Sequence, residues 1–261
     1  QTEGNSRNVD RTEEKKKQRI VRLSKRLKQV ADFVPEGSRI ADIGTDHGYI
    51  PIYLCQKGLA ASALAMDVRK GPLCRAQEHI KEYGDSFPGC CPQVRLSDGL
   101  KELKEGEADT VIIAGMGGEL EIKILEEGRH LWNSIKTWVL SPQSDLDKVR
   151  RFLAENGFCI EAEAMVKDEG KFYTVMRAVR GQMEYESQSE YLYGKKLLEA
   201  GDKVLEEYLT CERRRVEKIL FSLKGEGEKG KKKEMTPAME AAFGQLEAEL
   251  SWIKEAQNGM Q

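Results

Sequence analysis

The stretch Arg39-Ile40-Ala41-Asp42-Ile43-Gly44-Thr45-Asp46-His47-Gly48-Tyr49-Ile50-Pro51 constrains the fold more than any other part of the chain. A short apolar run ends in an acid, a glycine turn follows, and then a run able to start a helix. This is the pattern of a strand, a tight loop and a helix. Glycines let a ligand approach the backbone, and the helix N-terminus points amide hydrogens at it. A dinucleotide-binding loop has the spacing G-x-G-x-x-G, and here Asp46 stands in place of the middle glycine. An acid there repels a diphosphate and suits a ligand carrying an ammonium or sulfonium centre. Taken alone, the glycines are also compatible with a purely structural turn.

The rest of the chain repeats the unit. Ala61–Met66 reads as a second buried strand ending in Asp67, Val94–Leu96 as a third, Thr110–Ala114 as a fourth and Thr137–Leu140 as a fifth. Helical patterns fall between them at Gly48–Lys57, Pro72–Tyr83, Gly118–Glu127 and Leu146–Asn156. Phe158–Val166 and Lys171–Val179, joined by the short polar link Lys167–Gly170, read as an antiparallel hairpin. Alternation of this kind predicts an α/β sheet covered on both faces, with one antiparallel strand.

The two ends differ in character. Residues 1–14 read as a disordered polar tail. From Lys15 basic residues (Lys15, Lys16, Lys17, Arg19, Arg22, Lys25, Arg26, Lys28) interleave with Ile20, Leu23, Leu27, Val30 and Val34, predicting an amphipathic helix up to Pro35. Its basic face is either a solvated surface or a contact for RNA phosphates. After Gly181, Glu190–Leu223 predicts a long charged helix, and Met239, Phe243, Leu246, Leu250 and Ile253 predict a partner with a coiled-coil-like seam. The expected organisation is a tail (1–14), an α/β domain (15–184) and a C-terminal helical hairpin (185–261).

Net charge is −2, so any nucleic-acid surface must come from local clusters such as Arg213-Arg214-Arg215 or Lys229, Lys231, Lys232 and Lys233. These form a candidate RNA clamp, although interleaved acids fit a solvated hairpin equally well. No apolar run approaches the ~18 residues of a membrane span. The 6 cysteines contain no C-x-x-C pair and the 3 histidines are far apart, which predicts reduced thiols, a cytoplasmic setting and no metal site.

Ligand-type residues recur at successive strand ends: Asp42, Gly44 and Gly48 after the first, Asp67 after the second, Asp98-Gly99 after the third, and Gly115-Met116-Gly117-Gly118 after the fourth. An acid about 20 residues beyond the loop is placed to accept ribose hydroxyls, although it also suits a helix N-terminus. Asp98 is placed to accept an adenine amino hydrogen, and three glycines after the fourth strand leave room for a ligand.

Together with Ser24-Lys25-Arg26-Leu27 and Asp67-Val68-Arg69-Lys70-Gly71-Pro72-Leu73, the D-I-G-T-D-H-G-Y-I-P, S-D-G-L and I-A-G-M-G-G stretches resemble the bacterial TrmK family over residues 20–180 and, more loosely, the helical tail. The resemblance implies a class I, Rossmann-like methyltransferase that uses S-adenosyl-L-methionine to methylate N1 of the adenine at tRNA position 22. Where the family commonly has Gln-Pro-Asn, this chain has Ser141-Pro142-Gln143. The expected cofactor residues are Asp42, Gly44, Asp46, Gly48, Asp67, Val68, Asp98, Gly99, Gly115, Met116, Gly117 and Gly118. Asp46, His47 and Tyr49 are the catalytic candidates, with Tyr49 stacking on the base. Arg22, Lys25, Arg26 and Gln143 are the substrate-binding candidates.

Adenine N1 carries an in-plane lone pair, so positioning rather than a strong base should carry the rate. N1 lies on the pairing edge, so the base must be unpaired or flipped out. The Asn/Asp-Pro-Pro-aromatic motif that grips an exocyclic amine is missing, which disfavours N6 chemistry. Two alternatives remain: a methyltransferase of another RNA or a small molecule, and a non-catalytic RNA-binding module.

Overall fold

The computed structural model describes residues 20–224 and 236–260. The expectations for the tail 1–14, for Lys15–Arg19 and for Lys229, Lys231, Lys232 and Lys233 fall outside those residues.

Seven strands form one sheet in the order β3-β2-β1-β4-β5-β7-β6. They are β1 (Ser38–Ile43), β2 (Ala60–Asp67), β3 (Gln93–Leu96), β4 (Thr110–Ala114), β5 (Thr137–Ser141), β6 (Phe158–Asp168) and β7 (Lys171–Arg180). β1 to β5 pair in parallel, and β7 runs antiparallel between β5 and β6, as the short hairpin link requires. This is the expected α/β, Rossmann-like methyltransferase sheet. Register brings the carboxyl ends together: Ile43 lies opposite Met66 and Ile113, Asp67 opposite Leu96, and Ala114 opposite Ser141. Ligand-type residues from distant parts of the sequence therefore share one edge.

The two-residue period of the strands divides the core. Ile40, Ile112 and Val139 face α1 (Lys25–Asp32) and α2 (Tyr49–Gln56). Ile113, Trp138 and Leu140 face α4 (Gly118–Glu127) and α5 (Leu146–Glu155), with α3 (Lys70–Glu82) on the outer side of β2 and β3.

Three expectations are corrected. First, among the described residues the basic helix starts only at Lys25, because the Ser24 hydroxyl accepts the Leu27 amide and caps it there. Residues 20–24 are irregular, and the Val21 amide donates to Gln56 Oε1 at 2.8 Å.

Second, the single helix expected over Glu190–Leu223 is three: α6 (Gln188–Tyr193), α7 (Lys195–Glu199) and α8 (Lys203–Lys224). The first break is at Gly194, whose φ is 95°. A side chain there would place its Cβ 2.6 Å from Glu163 Oε2 and 2.9 Å from Arg150 Nη2. Those two residues form a fully buried ion pair, Nε to Oε1 at 2.9 Å. Arg150 also donates to the carbonyls of Tyr191 and Leu192 at 2.6 and 3.0 Å, so the chain turns around the guanidinium. α8 and α9 (Pro237–Gly259) run antiparallel, since Arg213 meets Gln257 and Arg215 meets Glu249. Leu205, Leu209, Val216 and Leu220 close their seam with Ile253 and Ala256.

Third, the six thiols are not all free: Cys55 at the end of α2 is joined to Cys90 in the loop before β3. Both belong to the apolar cluster under β2, which brings together residues that sequence spacing keeps apart.

Candidate active site

The loop after β1 is built by its glycines. Gly44 has φ 75° and Gly48 φ 71°, the left-handed region that other residues adopt at a cost. The amides of Gly44 and Thr45 donate to the Met66 carbonyl at 2.8 and 3.0 Å, tying the turn to the end of β2. A Cβ on Gly44 would lie 2.1 Å from Met116 Cε, so the methionine after β4 covers the glycine.

A cleft of about 460 Å³ opens over this edge. Of the expected cofactor residues, Gly44, Asp46, Asp67, Val68, Asp98, Gly99, Gly115 and Met116 line it. Asp67 is nearly buried, and its Oδ1 accepts the Arg69 amide at 2.8 Å. Asp98 stands exposed at the rim, paired with Lys101, which holds its carboxyl below the usual range. Asp42 lies beneath the loop rather than in the lining and is only 6% exposed. Burial pushes its carboxyl up to about 6, the Thr45 hydroxyl acts in the other direction, and the neighbouring Asp67 adds to the rise. Gly48 is also outside the lining, where a Cβ would meet that of Ala76 on α3 at 3.1 Å.

The glycines after β4 divide by role. Gly115 borders the cleft, whereas Gly117 and Gly118 do not. A Cβ on Gly118 would be 2.5 Å from the Ser144 carbonyl, so this glycine serves the close approach of two loops.

The structure separates the three catalytic candidates. Asp46 lines the cleft and is bound to Arg75 Nη2 at 2.7 Å, with its other oxygen 3.3 Å from His47 Nε2. The Arg75 contact holds its carboxyl below the usual range, so it is ionised at neutral pH. His47 and Tyr49 lie outside the lining. Their rings stack with His79 of α3, with centroids 5.0 to 5.5 Å apart, and His79 Nδ1 is 3.0 Å from the His47 carbonyl oxygen. Tyr49 also packs against the cluster of Val21, Ile52 and Ile80. Tyr49 is thus held beside the cleft by its stacking on His79 and does not belong to the lining.

Four substrate candidates were expected, and two are at the cleft. The Arg26 guanidinium lies over the Tyr173 ring at 5.1 Å, and a Cβ on Gly115 would be 3.3 Å from Arg26 Nη1. Gln143 completes that side of the mouth. Arg22 and Lys25 are exposed and do not line it.

A family model described as "Methyltransferase domain" matches residues 23–176. The chain belongs to this methyltransferase family. It is homologous to the Bacillus subtilis protein named tRNA (adenine(22)-N(1))-methyltransferase, with 35% identity over 62% of this chain and 66% of that protein, slightly under two thirds of the latter. A solved Streptococcus pneumoniae protein in complex with S-adenosyl-L-methionine is 31% identical, with a TM-score of 0.77 over 90% of this chain and 100% of the other. The structure of the B. subtilis M1A22 tRNA methyltransferase TrmK gives 28% identity and a TM-score of 0.76 over 90% and 99%.

The cleft is also lined by apolar residues that no motif in the sequence marks. Leu120 and Ile124 of α4 line it together with Val68, and Leu120 is 48% exposed. An apolar residue facing outward at the first turn after a glycine loop was the available signal. A second cleft, of about 470 Å³, adjoins the first and shares Gln143 with it. Among the described residues, no cluster of three His, Cys, Asp or Glu side chains is placed to hold a metal ion, and no helix is long and apolar enough to cross a membrane.

Proposed function

We propose that the chain transfers a methyl group from S-adenosyl-L-methionine to N1 of an adenine in tRNA, the adenine at position 22. The observation that carries the reading is the cleft at the ends of β1 to β4: floored by Gly44, walled by Leu120 and Ile124, edged by Asp67 and Asp98, and open towards Arg26 and Gln143. Its volume of about 460 Å³ falls in the range of small-molecule and cofactor sites. The residues fit the cofactor. Asp67 is placed to accept ribose hydroxyls, Val68, Leu120 and Ile124 offer apolar faces to a flat ring, and Asp42 and Asp46 supply negative charge to a cationic amino-acid portion. When bound, S-adenosyl-L-methionine supplies an electrophilic methyl group on a positively charged sulfur.

On the acceptor side the chain's task is placement. Gln143 and Arg26 stand at the mouth, where they can hold the Watson–Crick edge and the phosphate of an extruded nucleotide. The N1 lone pair attacks without prior deprotonation, so no side chain has to take a proton first. Positive charge then develops on the adenine ring, and Asp46, kept ionised by Arg75, is the anion of the cleft best placed to offset it. His47 and Tyr49 support this by fixing the loop. A cytoplasmic site of action follows from a tRNA substrate.

Mass spectrometry of nucleosides and fragments from tRNA incubated with the chain and cofactor tests the reading. Expected is 1-methyladenosine confined to position 22. Methylation of a metabolite pool with no change in tRNA would overturn it.

A further inference from the structure

The second cleft lies between the start of β7 and helices α6 and α8, and no role described so far uses it. Its surface carries four aromatic side chains: Phe172, Tyr173, Tyr193 and Tyr208. Phe172 and Tyr208 meet edge to face with centroids 5.3 Å apart. Cations stand over two of these rings: Lys167 Nζ is 5.2 Å from the Phe172 centroid, and the Arg26 guanidinium is 5.1 Å from that of Tyr173. Lys171 adds a charge at the edge, and none of the described residues lining the cleft is a carboxylate, although Lys167 is paired with Glu207 at 2.6 Å.

The cleft has a volume of about 470 Å³, and Phe172, Tyr173 and Tyr208 on its wall remain partly exposed. Aromatic faces with a cationic rim are the means by which proteins hold single-stranded nucleic acid, since every base has a π-face and the strand is anionic. The cleft is also in register with the reaction. Gln143 lines both clefts, and Arg26 reaches from the first to the Tyr173 ring. The adenine to be methylated must have its N1 in the first cleft, so the second falls to a neighbour in the strand.

Building on the proposed tRNA activity, we propose that the cleft of Phe172, Tyr173 and Tyr208 is a stacking site for a second unpaired base, adjacent to the methylated adenine. The methyltransferase then recognises a displaced pair of nucleotides and not one flipped base. The hairpin β6–β7 and α8 would thereby take part in choosing the substrate.

The test uses the full chain, full-length substrate tRNA, and two ligated versions with an abasic residue 5′ or 3′ of the target. With wild-type protein, one of the two abasic tRNAs should bind about 5- to 100-fold more weakly, the cost of one stacked base. Phe172→Ala should lose a similar factor on intact tRNA, lose nothing further on that abasic tRNA, and leave cofactor affinity by calorimetry unchanged. Non-additivity is the sign of direct contact. Phe172→Leu and Tyr208→Leu keep the packing volume if the alanine variant does not fold, and the abasic arm needs no variant. Equal affinity for all three tRNAs, or losses that simply add at both neighbours, overturns the stacking site while leaving the methyltransferase reading intact. A wild-type chain that neither binds nor methylates intact tRNA overturns both.

Discussion

Met116 occupies the space that a side chain on Gly44 would need: a Cβ at residue 44 would lie 2.1 Å from Met116 Cε. The two residues come from different strand ends and close one floor of the cleft. Gly44→Ala adds left-handed strain of about 1–2 kcal/mol and drives the methionine towards the cofactor space. The expected outcome is a folded protein with cofactor affinity reduced by about tenfold or more, as a ~1.4 kcal/mol loss implies. Because a methionine side chain is flexible, Gly44→Ala combined with Met116→Ala should recover part of the loss. Isothermal calorimetry on the four proteins checks this, and no recovery would place the whole cost in the backbone.

Asp42 should make cofactor binding pH-dependent. Its carboxyl is pushed up to about 6 by burial, from an ordinary value of 3.8. A raised folded value means that the folded protein holds this proton more tightly than the unfolded chain. Stability from this group is therefore greatest at low pH and declines as pH rises through about 6. Binding of a cationic ligand follows the opposite course, because only the ionised form attracts it. Cofactor affinity should fall several-fold between about pH 7 and about pH 5, and Asp42→Asn should bind weakly with that slope removed. Titration calorimetry across the range reads both.

The ligand-bearing strand ends were legible in sequence because each is local: an apolar run, an acid or glycine, then a helix start. Asp67, Asp98 and Gly115 could be placed at one edge from strand and helix alternation alone. What was not legible depends on contacts across the chain. The stacking of Tyr49 on His79 could not be read, because only the packing of α3 brings the two rings together. Gly117 and Gly118 looked like cleft glycines, yet Ser144 takes the space beside Gly118. The helix break at Gly194 follows from an ion pair between Arg150 and Glu163, and neither residue is in the helices it shapes. Leu120 and the aromatic cleft were missed because exposed apolar residues leave no periodic signal.

The Arg150–Glu163 pair should be strongly asymmetric under mutation. Both side chains are fully buried, and Arg150 also satisfies two carbonyls of α6. Glu163→Ala strands a buried guanidinium, and removing one partner of such a pair costs about 3–5 kcal/mol. Thermal unfolding should show a large fall in Tm, with the C-terminal helices gaining amide exchange first. Arg150→Met with Glu163→Leu should recover much of that loss, because burying no charge at all costs less than burying one.

Glu121 presents the reverse case, a buried acid that weakens the fold. It lies in the first turns of α4 with no exposure, and neither carboxylate oxygen has a hydrogen-bond partner among the described residues. Burial raises its carboxyl well above the ordinary 4.5. The N-terminal end of the helix offers some compensation, but only a fraction of a kcal/mol to about 1 kcal/mol at ordinary sites. The folded protein therefore retains a proton that the unfolded chain releases, and stability drops as pH rises above about 4.5 towards the higher folded value. Glu121→Met keeps the length and removes the penalty, which for a buried unsatisfied polar group is about 1–3 kcal/mol. The expected result is a higher Tm at neutral pH, a gain that shrinks as pH is lowered towards the unfolded value, and unchanged cofactor affinity. Denaturation midpoints of both proteins across that range measure it, and a Tm gain that did not vary with pH would mean that ionisation of the carboxyl is not the cause.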